Sequence, residues 1–286
     1  GGTGFIGFHL AKKCLKKKFL VTSLSFGKPK KERYLKKVKY VQCDISNKNN
    51  LKRNIKGNFD YVVNLGGYVN HNEKTKTYNS HYKGCKNLAD FFRKKNIISF
   101  IQIGSSVEYG PIKSPQSEIQ NCSIKKLKST YGKAKFLATK YLLGLFEKEK
   151  FPVTILRLYL VYGPNQDPNR LISSVINSCL LKKKFPCSNG NQFRDFLYVD
   201  DLIKAITRCF GNSNSIGKII NMGQGKPKKV KDIIKSINSK IGSGVPEYGK
   251  IKFSKDEIKI LYPDVKLAKK ILNWRSKISL KKGIDL

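Results

Sequence analysis

Gly1-Gly2-Thr3-Gly4-Phe5-Ile6-Gly7 opens the chain, and Phe8 to Leu15 continue it with a helical pattern. Glycines three apart ahead of a helix form a tight turn. Its Cβ-free surface lets a pyrophosphate approach the amides at a helix N-terminus, where the helix dipole favours negative charge. In a chain with 23 glycines such a turn is a weak signal by itself. Its surroundings strengthen it, because a helix follows, then an apolar run from Phe19 to Ser25, then Asp44-Ile45 at the end of the next run. Asp44 can accept from an adenine amino group or simply cap its own turn.

Outward from the loop, short β-branched or aromatic runs alternate with longer helical patterns, the rhythm of βαβ units and a parallel sheet. The runs Phe19 to Ser25, Lys39 to Cys43, Tyr61 to Asn64, Ser99 to Gly104 and Val153 to Leu158 read as strands. Helical patterns lie around 8–17, 76–95 and 129–149. After Tyr162-Gly163-Pro164 the rhythm breaks into Gly, Pro and Asn punctuation, so a smaller second region begins near 161. Phe196 to Val199 followed by Asp200 to Phe210 again read as strand then helix, returning 196–211 to the first unit. The expectation is α/β: a dinucleotide-binding unit over 1–160 and a mainly substrate-binding region over 161–286. In such a sheet the strand feeding the glycine loop is central. The chain begins at the loop itself, so that first strand is expected to lie before Gly1, and Leu286 is read as a second truncation.

Among 58 basic residues only eight are Arg, and the formal net charge is +39. Such charge invites nucleic acid or an anionic membrane. The lysines run along the whole chain rather than in one stripe, and base-edge and phosphate recognition favours Arg forks, so a solvated Lys-biased surface is preferred and nucleic acid is not the expected partner. No apolar run approaches the roughly 20 residues of a membrane span, and no signal peptide is visible. Seven scattered cysteines without a CxxC pair, and three histidines away from ligand spacing, read as reduced thiols in a cytoplasmic protein without a metal site.

Tyr131-Gly132-Lys133-Ala134-Lys135 sets Tyr131 and Lys135 four apart on one helix face, whereas Lys133 has the wrong spacing. A phenol beside an ammonium can exchange a proton with a sugar hydroxyl or ketone. The spacing is nearly worthless alone in so Lys-rich a chain. It gains force from Ile101-Gln102-Ile103-Gly104-Ser105-Ser106, an apolar strand ending in two hydroxyls where doubly wound sheets place active-site groups.

Strand-end Ser, then Tyr and Lys four apart, Leu156-Arg157, Tyr162-Gly163-Pro164, Arg194-Asp195-Phe196 and Tyr198-Val199-Asp200-Asp201 keep the order of a known group. Across essentially the whole chain the sequence resembles the extended short-chain dehydrogenase/reductases, the NAD-dependent epimerase/dehydratase family, and with it a Rossmann-type doubly wound sheet. The resemblance implies that Ser105 hydrogen-bonds the reacting sugar oxygen, Tyr131 is the acid/base, and Lys135 also holds the nicotinamide ribose. It implies a cofactor site of Gly1, Thr3, Gly4, Phe5, Ile6, Gly7, Ser25, Lys28, Asp44, Ile45, Leu65, Gly66, Gly67, Tyr131 and Lys135. Arg170 and Arg194 fall where basic contacts to a nucleoside diphosphate are expected, or are ordinary surface cations. Tyr68, His71 and Ser106 border the expected sugar pocket. The resemblance also implies a homodimer through the helices near 76–95 and 129–149.

Departures narrow the chemistry. Similar dehydratases carry Asp-Glu after the catalytic hydroxyl, where this chain has Ser106 and Val107, and Glu108 is one place off and should point elsewhere by strand alternation. Leu160 replaces an Asn that contacts the sugar diphosphate. His81 stands where an Asn supports the active-site strand and is read as a structural substitution. At the end of the second strand, where NAD sites carry an acid, Ser25 and the lysines from Lys28 onward favour NADP. Ketoreduction of an NDP-4-keto-6-deoxyhexose is therefore the first expectation and 4-epimerisation of an NDP-sugar the alternative. Rivals of another class are an RNA-binding protein on this fold, as in similar chloroplast stem-loop-binding proteins, and a redox-sensing module without turnover. Retention of Ser105, Tyr131 and Lys135 together argues against the RNA binder.

Overall fold

The computed structural model describes residues 1–252 and 257–286. α1 (Phe5–Lys16) follows the glycine loop, with Gly4 as its N-cap. β1 (Val21–Ser25) pairs in parallel with β2 (Val38–Gln42). The strand expected from Phe19 is two residues too long at its start. Phe19 instead donates its N–H to Cys14 O, closing the end of α1, and sets its ring edge-on to Tyr61 and Phe210.

α2 (Lys48–Asn54) leads to β3 (Tyr61–Asn64), at the edge of a parallel sheet with β4 (Ser99–Ser105), β5 (Val153–Leu158) and the strand Ile219–Met222. Every residue of β4 and β5 is buried, as parallel strands covered on both faces require. Strand alternation divides their side chains between two cores. Ile101, Ile103, Leu156 and Leu158 face α1 and, later, α7 (Val199–Arg208); Phe100, Val153 and Ile155 join Leu51, Leu88 and Leu142 on the other side. These layers are those of a doubly wound Rossmann-type α/β sheet. Among the described residues no ladder joins β1 to β3, and Gly1 sits between their ends. Its amine donates to Leu24 O at 2.7 Å, and a Cβ there would lie 2.4 Å from Leu65 O.

The helical pattern at 76–95 is interrupted. α3 (Lys74–Tyr78) passes through a π-turn at Asn79–Lys83 into α4 (Gly84–Phe92), which rotates His81 inward. α5 (Thr130–Glu149) is capped by Ser129, whose Oγ accepts from Gly132 N at 3.0 Å.

Beyond β5, α6 (Leu171–Leu180) and the helix Val230–Ile241 form a third core with Tyr162, Phe185, Phe196 and Tyr198. The strand Phe196–Tyr198 pairs in parallel with Leu160–Tyr162 and leads into α7, which packs on α1 in the first core. Asp201, fully buried, accepts from Ser276 Oγ and from the amides of Lys277 and Ile278, tying the C-terminal segment to α7. No described helix is long and apolar enough to cross a membrane.

Candidate active site

One cleft of about 1330 Å³ runs along the C-terminal ends of β1, β3, β4 and β5. That exceeds the roughly 300–1,000 Å³ of an ordinary small-molecule pocket and suits a dinucleotide lying beside a second ligand. Every sequence-expected residue except Lys28 lines it. Lys28 is exposed on the loop after β1, next to the lining residues Phe26 and Gly27 but not itself part of the wall.

The loop fits a pyrophosphate. Gly7 packs on the turn so closely that a Cβ would lie 2.5 Å from Gly1 O, while Gly4 caps α1 with no side-chain hydrogen bond, leaving first-turn amides to a ligand. Ser25 supports the turn from β1: Thr3 N donates to its Oγ at 3.1 Å, and the hydroxyl donates to Leu24 O at 2.8 Å. Its one proton is therefore used internally, which removes the donor expected for a 2′-phosphate. Asp44 Oδ1 accepts from both Ser46 N and Ser46 Oγ, so capping its own turn is at least part of its role. Asn64 Oδ1 accepts from Gly66 N and orients the Leu65-Gly66-Gly67 backbone.

At the far end of the cleft, Lys135 Nζ donates to Ile103 O at 2.7 Å and lies 5.9 Å from the centre of the Tyr131 ring. Lys133, as its spacing requires, is exposed. Ser105 Oγ accepts a long 3.5 Å bond from Val107 N, so its proton is available to a ligand. Glu108 is buried and outside the cleft lining, as expected, but not by strand alternation: β4 ends at Ser105, and Glu108 lies in the 3-10 turn Ser106–Tyr109, whose capping box with Ser105 turns its carboxylate back. Its carboxylate takes Ser105 N at 2.7 Å, Thr139 Oγ1 of α5 at 2.7 Å and Arg157 Nε of β5 at 3.1 Å. One buried carboxylate thus pins the end of β4 to the helix that carries Tyr131 and Lys135.

Tyr131 is held between two imidazoles. His71 stacks on it at 4.0 Å between centroids and 11° between planes, and His81 meets it edge-on at 4.8 Å. His81 Nε2 bonds Tyr68 O at 3.2 Å; since a carbonyl only accepts, Nε2 carries the proton and the buried Nδ1 is bare, without a partner among the described residues. Burial, reinforced by the Lys135 charge, holds its pKa down at about 3. Burial, then Arg170 and Lys135, also lowers that of His71. Both rings are neutral at pH 7. A Cβ on Gly67 would fall 1.9 Å from His81 Cε1, so that glycine is required by the imidazole as well as by the cleft.

Tyr68 hydrogen-bonds Glu73 at the rim. Ser106 is buried at the strand end beside Ser105. Arg170 caps α6 at the cleft wall, and Arg194 is largely buried with Nη2 on Glu257 at 2.7 Å. Sequence reasoning missed Asp167, which lines the cleft and binds Arg33 and Lys30 of the loop after β1. No local pattern marks that pairing. No cluster of potential metal ligands occurs among the described residues.

A family description, NAD dependent epimerase/dehydratase family, matches residues 1–223. A putative UDP-glucose 4-epimerase of Methanocaldococcus jannaschii is 30% identical over 99% of this chain and 94% of its own length. The UDP-glucose 4-epimerase of Thermotoga maritima, solved with UDP-glucose, superposes with a TM-score of 0.90 at 23% identity, covering 100% of this chain and 95% of that one. The UDP-glucuronic acid 4-epimerase of Bacillus cereus, solved with UDP-glucuronic acid and NAD, gives 0.87 at 24% identity, again over 100% and 95%. At these identities the solved structures speak to the fold, whereas the family match spans the glycine loop, the Ser105 strand, the Tyr131 helix and the return into α7. The chain belongs to the NAD dependent epimerase/dehydratase family of sugar-nucleotide enzymes.

Proposed function

We propose that the chain interconverts C4 epimers of a UDP-linked hexose or hexuronate through a retained NAD. The carrying observation is that Ser105, Tyr131 and Lys135 line the cleft onto which the glycine loop opens, in a chain 30% identical end to end to a putative UDP-glucose 4-epimerase. The bound dinucleotide supplies the hydride acceptor and donor. Ser105 Oγ donates to the C4 oxygen. Tyr131, as phenolate, takes the C4 hydroxyl proton during oxidation, and the phenol so formed returns it during reduction. Lys135, fixed on Ile103 O, places its charge beside Tyr131, where it favours the phenolate form. Arg170 and Arg194 offer cations to the diphosphate, and Tyr68 and His71 border the sugar.

Ketoreduction of an NDP-4-keto-6-deoxyhexose would use the same three residues. Its separate support was the inferred NADP site, and the geometry weakens that support: Ser25 has spent its proton, Lys28 lies outside the cleft, and Lys30 is paired with Asp167. NAD, present in the Bacillus cereus relative, is therefore favoured for this chain. Dehydration lacks its acids, because Ser106 and Val107 occupy those positions. Homodimerisation through α3, α4 and α5 belongs to the same proposal and is checked by sedimentation. A cytoplasmic site of action is supported by seven free thiols, six of them buried.

The test is incubation with NAD and, separately, UDP-glucose, UDP-galactose and UDP-glucuronate, with chromatographic separation of epimers. Appearance of the C4 epimer from at least one is expected. Failure with all three, together with NADPH-dependent reduction of a 4-keto sugar, would reverse the preference.

A further inference from the structure

β1 ends at Ser25, without the carboxylate that NAD-selective Rossmann sites set against the adenosine ribose, and in the loop that follows Lys30 and Arg33 are engaged by a carboxylate from elsewhere in the chain. Of the loop's six cations, Lys28, Lys30, Lys31, Arg33, Lys36 and Lys37, two reach across to the second region. Arg33, 5% exposed, donates from Nε and Nη2 to Asn165 O at 3.1 and 2.6 Å and from Nη2 to Asp167 Oδ1 at 3.0 Å. Lys30 Nζ donates to the same Oδ1 at 3.2 Å.

The segment carrying Asp167 is firmly held. His9 Nε2 bonds Pro164 O at 2.9 Å, with the ring packed edge-on against Phe5 and Phe8 of the glycine-loop helix. Gln166 Nε2 donates to Val161 O at 2.6 Å. Gly163, at φ +151°, lies so close to α7 that a Cβ would be 2.6 Å from Val199 Cγ1. Asn165 takes a left-handed conformation at φ 62°, which Asn tolerates better than most residues. Asp167 is thus fixed, a third exposed, in the wall of the cleft that Ser25, Phe26 and Gly27 also line.

We propose that Asp167 sets the dinucleotide preference of this chain, supplying from the second region the carboxylate that β1 lacks. It engages Lys30 and Arg33 of the loop after β1, offsetting one of their two charges, and places its own carboxylate on the cleft wall, so that wall is less favourable to a 2′-phosphate than it would be without Asp167. NAD is thereby selected over NADP although β1 ends in serine. The inference rests on the glycine loop and Ser25 forming the dinucleotide site, and it is tested by binding alone, independent of turnover.

Dissociation constants for NADH and NADPH are measured by nicotinamide fluorescence at low ionic strength. The proteins are the wild type, Asp167→Asn, Asp167→Glu and the double variant Asp167→Asn with Lys30→Ala. The wild type should prefer NADH. Asp167→Asn, nearly isosteric, should tighten NADPH by about tenfold or more, equivalent to about 1.4 kcal/mol, while changing NADH by less than about threefold. Asp167→Glu should keep the wild-type preference, and the double variant should lose part of the NADPH gain. NADPH affinity within about twofold of wild type in Asp167→Asn, with NADH binding retained, overturns the assignment of Asp167 and leaves the proposed epimerase untouched. A wild type that binds neither dinucleotide overturns both.

Discussion

Glu108→Ala removes a fully buried carboxylate that three elements share. Arg157, only 2% exposed, would keep its guanidinium in the core with its ion pair gone, and Ser105 N and Thr139 Oγ1 would lose their acceptor. Removing one partner of a buried pair destabilises by about 3–5 kcal/mol, because the remaining charge stays desolvated. A native chain is stable by only about 5–15 kcal/mol, so this is a large fraction. At roughly 2–4 °C per kcal/mol for a chain of this size class, the melting temperature should fall by about 6–20 °C. Circular dichroism melts measure it. Arg93→Ala, which opens the half-exposed pair with Glu149, serves as the control and should change stability by less than about 1 kcal/mol. Glu108→Gln retains one acceptor oxygen and should fall between the two. A Glu108→Ala melt within about 2 °C of wild type would refute the view that this carboxylate clamps Ser105 to α5.

Tyr131→Phe should lower turnover by about 10²–10⁴-fold, the usual loss for a general acid/base, while isothermal titration shows nucleotide-sugar binding intact. Gly67→Ala drives a methyl into His81, so it should destabilise by about 1–3 kcal/mol and reduce turnover by displacing the imidazole from Tyr131; unchanged kinetics and melting would contradict that packing. His81 is held near pKa 3 when folded and returns to about 6.5 when unfolded, so its contribution to stability is fully present above pH 6.5 and is lost as pH falls toward 3. Urea unfolding at pH 7 and pH 5 should show a loss of about 2 kcal/mol from this group, and His81→Asn should remove that part of the slope.

The parallel-sheet frame was legible because its strands are short β-branched or aromatic runs bounded by polar turns. Tyr61–Asn64 and Val153–Leu158 begin and end where the pattern does. The π-turn at Asn79–Lys83 was not, since one extra residue barely disturbs helical periodicity over a long apolar face. Glu108 was expected to turn from the cleft by strand alternation, but β4 ends at Ser105 and a capping box in the following 3-10 turn orients it; nothing local named Thr139 and Arg157 as its partners. Lys28 lies beside the cleft rather than in its wall, and a chain-wide lysine excess leaves no local signal to separate the two. Asp167 and Arg33 are 134 residues apart, and only the docking of the second region onto the first brings them together.

Reversible hydride transfer at C4 is tested most directly by UDP-glucose deuterated at C4, with NAD bound to the protein and the product examined by NMR and mass spectrometry. If the sugar is oxidised and re-reduced in one cleft around Tyr131, UDP-galactose should form with deuterium retained at C4 and no stoichiometric accumulation of reduced dinucleotide. Absence of the epimer, combined with consumption of one reduced dinucleotide for each 4-keto sugar converted, would contradict it.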